Sequence, residues 1–189
     1  NGIKETLSAK SIFLACGAIQ TPLLLRRSGF KKNIGNNLKI HPTIKVIAKF
    51  DEELNYKNLG VPVHQVKQFA PIYSFGCAIS SKEFIAAGLI DYPKDLNEID
   101  MQWKHMISYY AMSSGGSGIV RNLPFNYGDY FRYSLTRKEL KVLAAALKDL
   151  CKLLFAAGAI KLYPSIAGID PLRSIEDINK LPDTLNRNN

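Results

Sequence analysis

Three histidines, His41, His64 and His105, are the side chains of this 189-residue chain best suited to exchange a proton near neutral pH. None stands in a pattern that performs chemistry by itself. His41 precedes a proline at a strand entry, and His64 lies in a loop with no partner in view. His105 alternates with Trp103 and Ile107, which predicts a hydrogen-bonded histidine of a core or pocket wall. The three cysteines, Cys16, Cys77 and Cys151, are far apart, sit in apolar sequence and form no Cys-x-x-Cys pair. Buried free thiols are therefore expected, rather than zinc or dithiol chemistry. No Ser-His-acid order, metal-ligand cluster or glycosidase-like carboxylate pair stands out. Gly115-Gly-Ser-Gly118 is glycine-rich enough for a phosphate loop, but such a loop must lead into a helix. The strand-like sequence from Ile119 to Leu123 predicts a hairpin turn instead.

The strongest pattern runs from Ser11 to Gly29. An apolar run, Ile12 to Cys16, closed by Gly17, predicts a buried strand. Thr21-Pro22 predicts a helix start, with a hydroxyl able to accept from orphan N–H groups and a proline that costs nothing in the first turn. Gly29 predicts the helix end. The small residues Ala15, Gly17 and Ala18 would let the backbone approach a ligand closely beside a helix N-terminus.

The remaining elements follow from periodicity. Asn1-Gly2 is a turn pair, and Ile3 and Leu7 with Ile12 to Cys16 suggest the end of a hairpin. Thr43 to Phe50 alternates, with Ile44, Val46, Ala48 and Phe50 on one face, as a half-buried strand does. Strands are also predicted over Val66 to Ser80, interrupted by Pro71, from Met101 to Tyr109, and from Tyr127 to Leu135. Ser81 to Gly88 predicts a turn or two of helix, and Asp91 to Asn97 a loop. Such consecutive alternating segments imply an antiparallel sheet. Thr136-Arg-Lys-Glu139 is a capping box opening a helix whose apolar stripe, Leu140 to Phe155, ends at Gly158. At about 1.5 Å per residue that helix spans roughly 30 Å, enough to cover one face of a sheet. Beyond Pro164 the chain is loop-rich. Ser174 with Asp177 suggests a capped last helix, and Thr184 to Asn189 a frayed or cut tail.

With 47% hydrophobic and 22% charged residues the composition is that of a soluble globular protein. The net charge of +9 is spread from Lys4 to Arg187, which predicts a solvated basic surface and no nucleic-acid partner. The odd cysteine count suits a reducing compartment, so a cytoplasmic location is expected. No apolar run approaches the ~20 residues of a membrane span, and the first residues lack a signal-peptide core.

Ala15-Cys-Gly-Ala-Ile-Gln-Thr-Pro-Leu-Leu-Leu-Arg-Arg-Ser-Gly29, followed by Asn33-Ile-Gly-Asn-Asn-Leu-Lys-Ile-His-Pro42, resembles the second signature and following loop of the glucose-methanol-choline (GMC) oxidoreductases. Phe30 and Lys31 depart from that pattern, where an aliphatic residue and a glycine are common. Tyr130-Phe-Arg-Tyr133 and Leu153-Leu-Phe-Ala-Ala-Gly-Ala159 resemble the long-chain alcohol oxidase branch of the same family. The resemblance implies an α+β fold. Residues 1–42 would form the end of an FAD-binding domain, 43–165 a mostly antiparallel substrate-domain sheet covered by a long helix, and 166–189 a loop-rich return segment. It also implies FAD as cofactor, with Ala15, Gly17, Ala18, Thr21, Asn37 and His41 near it. The partner would be a small-molecule alcohol or sugar, oxidised at its CH–OH group with hydride passing to the flavin. The family's Gly-x-Gly-x-x-Gly fingerprint and its late catalytic histidine have no counterpart here. The expectation is an internal fragment, inactive alone and without a catalytic residue, whose missing N- and C-terminal parts belong to the same chain. The alternative is a non-catalytic α+β module whose sheet face, carrying Tyr109, Tyr130 and Tyr133, holds a partner or a sugar.

Overall fold

The helix that the capping box predicts is present in full. In the computed structural model, which describes residues 5–60, 63–124 and 128–186, Glu139 donates its N–H to the Thr136 side chain at 3.3 Å, and its Oε2 accepts the Thr136 N–H at 2.6 Å. From this cap the longest helix runs Arg137–Ala156 and stops before Gly158, whose φ of 95° suits only glycine well. It belongs to the larger of two compact units, Ile40–Gly116 with Leu135–Asn189; the smaller comprises Asn1–Lys39 with Ser117–Ser134.

The larger unit is built on a five-stranded antiparallel sheet. In chain order the helices of the protein are α1 (Gly17–Arg27), α2 (Lys82–Gly88), α3 (Pro93–Leu96), α4 (Ile99–Gln102) and α5 (Arg137–Ala156). The strands are β1 (Leu38–Ile40), β2 (Thr43–Lys49), β3 (Gln65–Val66), β4 (Tyr73–Cys77), β5 (Met106–Ser113), β6 (Gly115–Asn122), β7 (Asp129–Ser134) and β8 (Lys161–Pro164). The larger sheet has the order β3-β4-β5-β2-β8.

Ile44, Val46, Ala48 and Phe50 point to the α5 side and share one core with Leu143, Leu147, Leu150 and Leu154. Each such leucine contributes about 1.5–3 kcal/mol by leaving water. The opposite face is covered over only part of its area. There Ile47, Met106 and Tyr163 pack against Ile85, Leu89 and Tyr92, so β2 is buried on both sides at that end. The smaller unit holds a three-stranded sheet, β1-β6-β7, and α1, around Leu23, Leu38 and Val120. The chain is thus a mixed helix and strand protein with antiparallel sheets and one long helix.

Several local expectations are corrected. Ile12 to Cys16 is not a strand: it is irregular and exposed, Phe13 to 92%. A strand exists only where its backbone groups find a neighbour, and none of the described residues pairs with it. Asn1, Gly2 and Ile3, the other half of the expected hairpin, lie outside the described residues, and Leu7 is exposed. α1 begins at Gly17, not at Thr21-Pro22, and Pro22 lies inside it. Met101 to His105 forms α4 and a turn of 3-10 helix, because the carbonyls of Lys104 and His105 accept from Asn55, Leu54 and Phe50 rather than from a sheet neighbour. Asp91 to Asn97 contains α3, opened by Pro93. Gly115 to Gly118 is not a hairpin turn but the start of β6, in a different sheet from β5. Gly118 is required there because a Cβ would meet the Arg132 carbonyl at 2.6 Å. Tyr127 lies outside the described residues, and β7 starts at Asp129. Asp177 caps by reaching back to the N–H groups of Arg173 and Ser174, before a 3-10 turn, Glu176–Lys180. The tail is held as far as Leu185, which is buried in the α5 core.

Candidate functional site

Ala15, Gly17, Ala18 and Thr21 sit together at the opening of α1. Gly17 has φ 82°, and a Cβ placed on it would meet nothing within 4 Å. Open space therefore lies over this backbone. The helix has no acidic residue in its first turn and no side-chain cap on Cys16, which leaves its first N–H groups and the positive end of its dipole open to an acceptor. Thr21 works from inside the helix: its Oγ1 accepts the Cys16 N–H at 3.1 Å and steadies the turn at Gly17. Pro22 removes the N–H that would reach the Ala18 carbonyl. At the other end, Phe30 N–H bonds Leu25 O and Gly29 N–H bonds Arg26 O, the paired closure in which a glycine at φ 92° ends a helix. The departures at Phe30 and Lys31 leave that closure intact.

The loop after α1 is pinned from a distance. Gly35 has φ 73°, and a Cβ there would lie 2.4 Å from the Val120 carbonyl. Arg121 Nη1 donates to the Gly35 carbonyl at 2.5 Å, and its Nη2 to Asn36 Oδ1 at 2.8 Å. Arg26 Nη1 bonds the Ile34 carbonyl, and Arg27 pairs with Asp129 at 3.2 Å. Asn37 projects exposed from this braced loop. Sequence reasoning missed Arg121, which stands 86 residues from Gly35 and in no motif.

His41 belongs to the larger unit. It is exposed, its carbonyl accepts the Thr43 hydroxyl at 3.0 Å, and it lines a cavity of about 150 Å³ with Tyr73, Ser74 and Met112. The part of the sheet face left open by α2, α3 and α4 carries Thr43, Lys45, Ser74 and Met112, with Tyr110 opposite both Lys45 and Gly76. The Tyr110 ring lies over Gly76, where a Cβ would come within 2.5 Å of the phenol oxygen, and Gln65 Nε2 donates to that oxygen at 3.2 Å. Here a missing side chain seats an aromatic one.

Elsewhere the perturbed groups are structural. Tyr73 donates to Asp149 Oδ2 at 2.7 Å; burial and that carboxylate push its phenol up to about 12. Burial would raise the Asp149 carboxyl, but hydrogen bonds from Tyr73 and Lys152 hold it below its ordinary range. His105 Nδ1 lies 3.1 Å from the Asp51 carbonyl, as a donor that braces a loop. Among the described residues no group of three or more His, Cys, Asp or Glu is placed to hold a metal ion, and no helix is long and apolar enough to cross a membrane. Cys151 is buried as expected, whereas Cys16 is exposed and Cys77 is intermediate. The strand that would have covered Cys16 does not form. The tyrosines expected on one sheet face are divided, Tyr109 on β5 and Tyr130 and Tyr133 on β7 of the other sheet, which removes the geometric basis of the binding-module alternative.

Residues 1–43 match the sequence profile of the family described as GMC oxidoreductase. The chain is 32% identical to an uncharacterised GMC-type oxidoreductase of Sinorhizobium fredii, over 95% of this chain and 36% of that protein. A GMC-type oxidoreductase of Mycobacterium tuberculosis is 30% identical over the whole chain and 30% of its own length. A long-chain-alcohol oxidase of Arabidopsis thaliana is 29% identical over 84% of this chain and 22% of its own length. The chain thus spans about a third or less of the length of these relatives. No solved structure matches it.

Proposed function

The chain belongs to the GMC oxidoreductase family, and from that premise we propose that it is part of an FAD-dependent oxidoreductase acting on the CH–OH group of a small alcohol or sugar. The observation that carries the reading is the coincidence of the family match on residues 1–43 with the open, acid-free start of α1. Backbone donors under open space at Gly17 fit an anionic or carbonyl-bearing cofactor, and FAD offers both. Ala15, Gly17 and Ala18 would approach it through their backbone. Thr21 would hold the turn, and Asn37, on the same unit, would supply a side-chain contact. When bound, the flavin supplies the hydride acceptor.

The protein's own task is then positioning. Arg121 and Gly35 fix the loop that presents Asn37. Tyr110, Lys45 and Ser74 are among the hydrogen-bonding groups that the open sheet face offers to a hydroxylated donor. No histidine of this chain is assigned as the base: His105 is committed to the Asp51 carbonyl, and among the described residues no acidic side chain holds His41 or His64. The relative named for long-chain alcohols favours an alcohol over a sugar. Purification of the complete protein under gentle conditions tests the proposal. It should carry flavin absorbance in the visible range, and a colourless protein that takes up no added FAD would end it.

A further inference from the structure

On the α5 side of the larger sheet, away from its open face, the core is incomplete. A cavity of about 290 Å³ lies between the C-terminal half of α5 and the β3–β4–β5 edge. This is near the lower end of the volumes that ligand pockets occupy, about 300 Å³ and upward. Its roof is a single helical stripe, Leu150, Leu153 and Leu154. Its floor is Phe75 and Cys77, which alternate along β4 and so face the helix together. β3, only two residues long, forms the sheet edge here, and His64 and Gln65 line the cavity from that side. Among the described residues no Lys, Arg, Asp or Glu lines it. Burial pushes the Cys77 thiol up, as an apolar surround does.

We infer that this cavity is a binding site for an uncharged linear aliphatic molecule, its chain under the Leu150–Leu154 stripe and a single hydroxyl or carbonyl at the His64 edge. An apolar wall without a charged group gives a carboxylate or ammonium no compensation for losing water, whereas a chain of methylenes gains by leaving it. One hydroxyl needs one partner, and the edge provides His64, since Gln65 Nε2 already donates to the Tyr110 hydroxyl on the opposite face. The site is independent of the flavin reading, since it lies under α5 and uses none of the residues assigned to the cofactor.

The three cysteines make the test internal. Cys16 is exposed, Cys77 lines the cavity and Cys151 is buried. The full chain is alkylated with iodoacetamide with and without octanol, and modification at each cysteine is followed by mass spectrometry. With octanol at about ten times its Kd, Cys77 should react about tenfold more slowly while Cys16 is unchanged, because only the empty fraction reacts. Octanoate at equal concentration should protect less. Leu153→Trp, at a position 41% exposed and therefore tolerant, fills the roof and should abolish protection. Ala157→Leu, from the adjoining helix end, is the second filler should the first unfold the protein. Four results would overturn the inference: equal slowing of Cys16 and Cys77, protection that survives both fillers, better protection by octanoate, or a Cys77 as unreactive as Cys151 without ligand.

Discussion

Gly17→Ala, paired with Gly29→Ala, separates a cofactor contact from simple backbone strain. The two glycines stand at opposite ends of α1, with φ 82° and φ 92°, and a Cβ at either meets nothing within 4 Å. Neither substitution creates a clash. Each forces an L residue into the left-handed region at about 1–2 kcal/mol, offset by about 0.4–1 kcal/mol from a stiffer unfolded chain. The net destabilisation is about 1 kcal/mol for both, so their urea midpoints should fall by the same small amount. Flavin binding should distinguish them. If the cofactor approaches the backbone at Gly17, a methyl there occupies its space and weakens FAD at least about tenfold, or 1.4 kcal/mol. Gly29→Ala should bind FAD as the parent does. The assay is FAD titration of the apoprotein of the complete enzyme, read by flavin fluorescence, beside urea unfolding of the same samples. Equal FAD affinity in the two variants would refute the placement of the cofactor at α1.

Two further outcomes test the fold that holds this site. Asp95 Oδ1 accepts from Lys161 Nζ at 2.5 Å and from the Tyr163 hydroxyl at 2.7 Å, with the Lys161 and Asp95 side chains only 12% and 16% exposed. Asp95→Ala strands a nearly buried ammonium and should cost about 3 kcal/mol in urea unfolding, Asp95→Asn clearly less. Burial would raise the Asp95 carboxyl, but Lys161 and Tyr163 hold it below its ordinary value. Its stabilisation is therefore complete above the unfolded carboxyl's pKa of about 3.9 and is lost as pH falls through the lower folded value. A parent and an Asp95→Asn variant whose stability difference is unchanged across that range would contradict the pairing. Thr136→Ala removes one half of the capping box and should cost about 1 kcal/mol; no change in the denaturation midpoint would mean that Glu139 alone holds the helix start.

Legibility in the sequence followed the range of the forces involved. α5 was readable because its cap, its apolar stripe and its terminal glycine act within a few residues of one another. β2 was readable because both its neighbours leave the alternation of Ile44, Val46 and Ala48 undisturbed. Ile12 to Cys16 misled because apolar character states a wish for burial, while a strand also needs a partner backbone. Met101 to His105 misled through the same alternation, since the carbonyls of Lys104 and His105 were already taken by the segment after β2. Within the candidate site, the small residues around Gly17 could be read as a place of close approach, because the requirement is local. Arg121 on Gly35 and Tyr110 on Gly76 could not, because each pairing is made only when distant segments fold together.

The central claim is that these residues serve an enzyme that moves hydride from a CH–OH group to a flavin. Anaerobic addition of a primary alcohol to the complete, purified protein, with the visible spectrum recorded, tests it most directly. The oxidised flavin bands should bleach as alcohol is added and return when oxygen is admitted or an artificial electron acceptor is supplied. A flavin that stays oxidised with every alcohol and sugar tried, or a protein with no flavin to bleach, would contradict it.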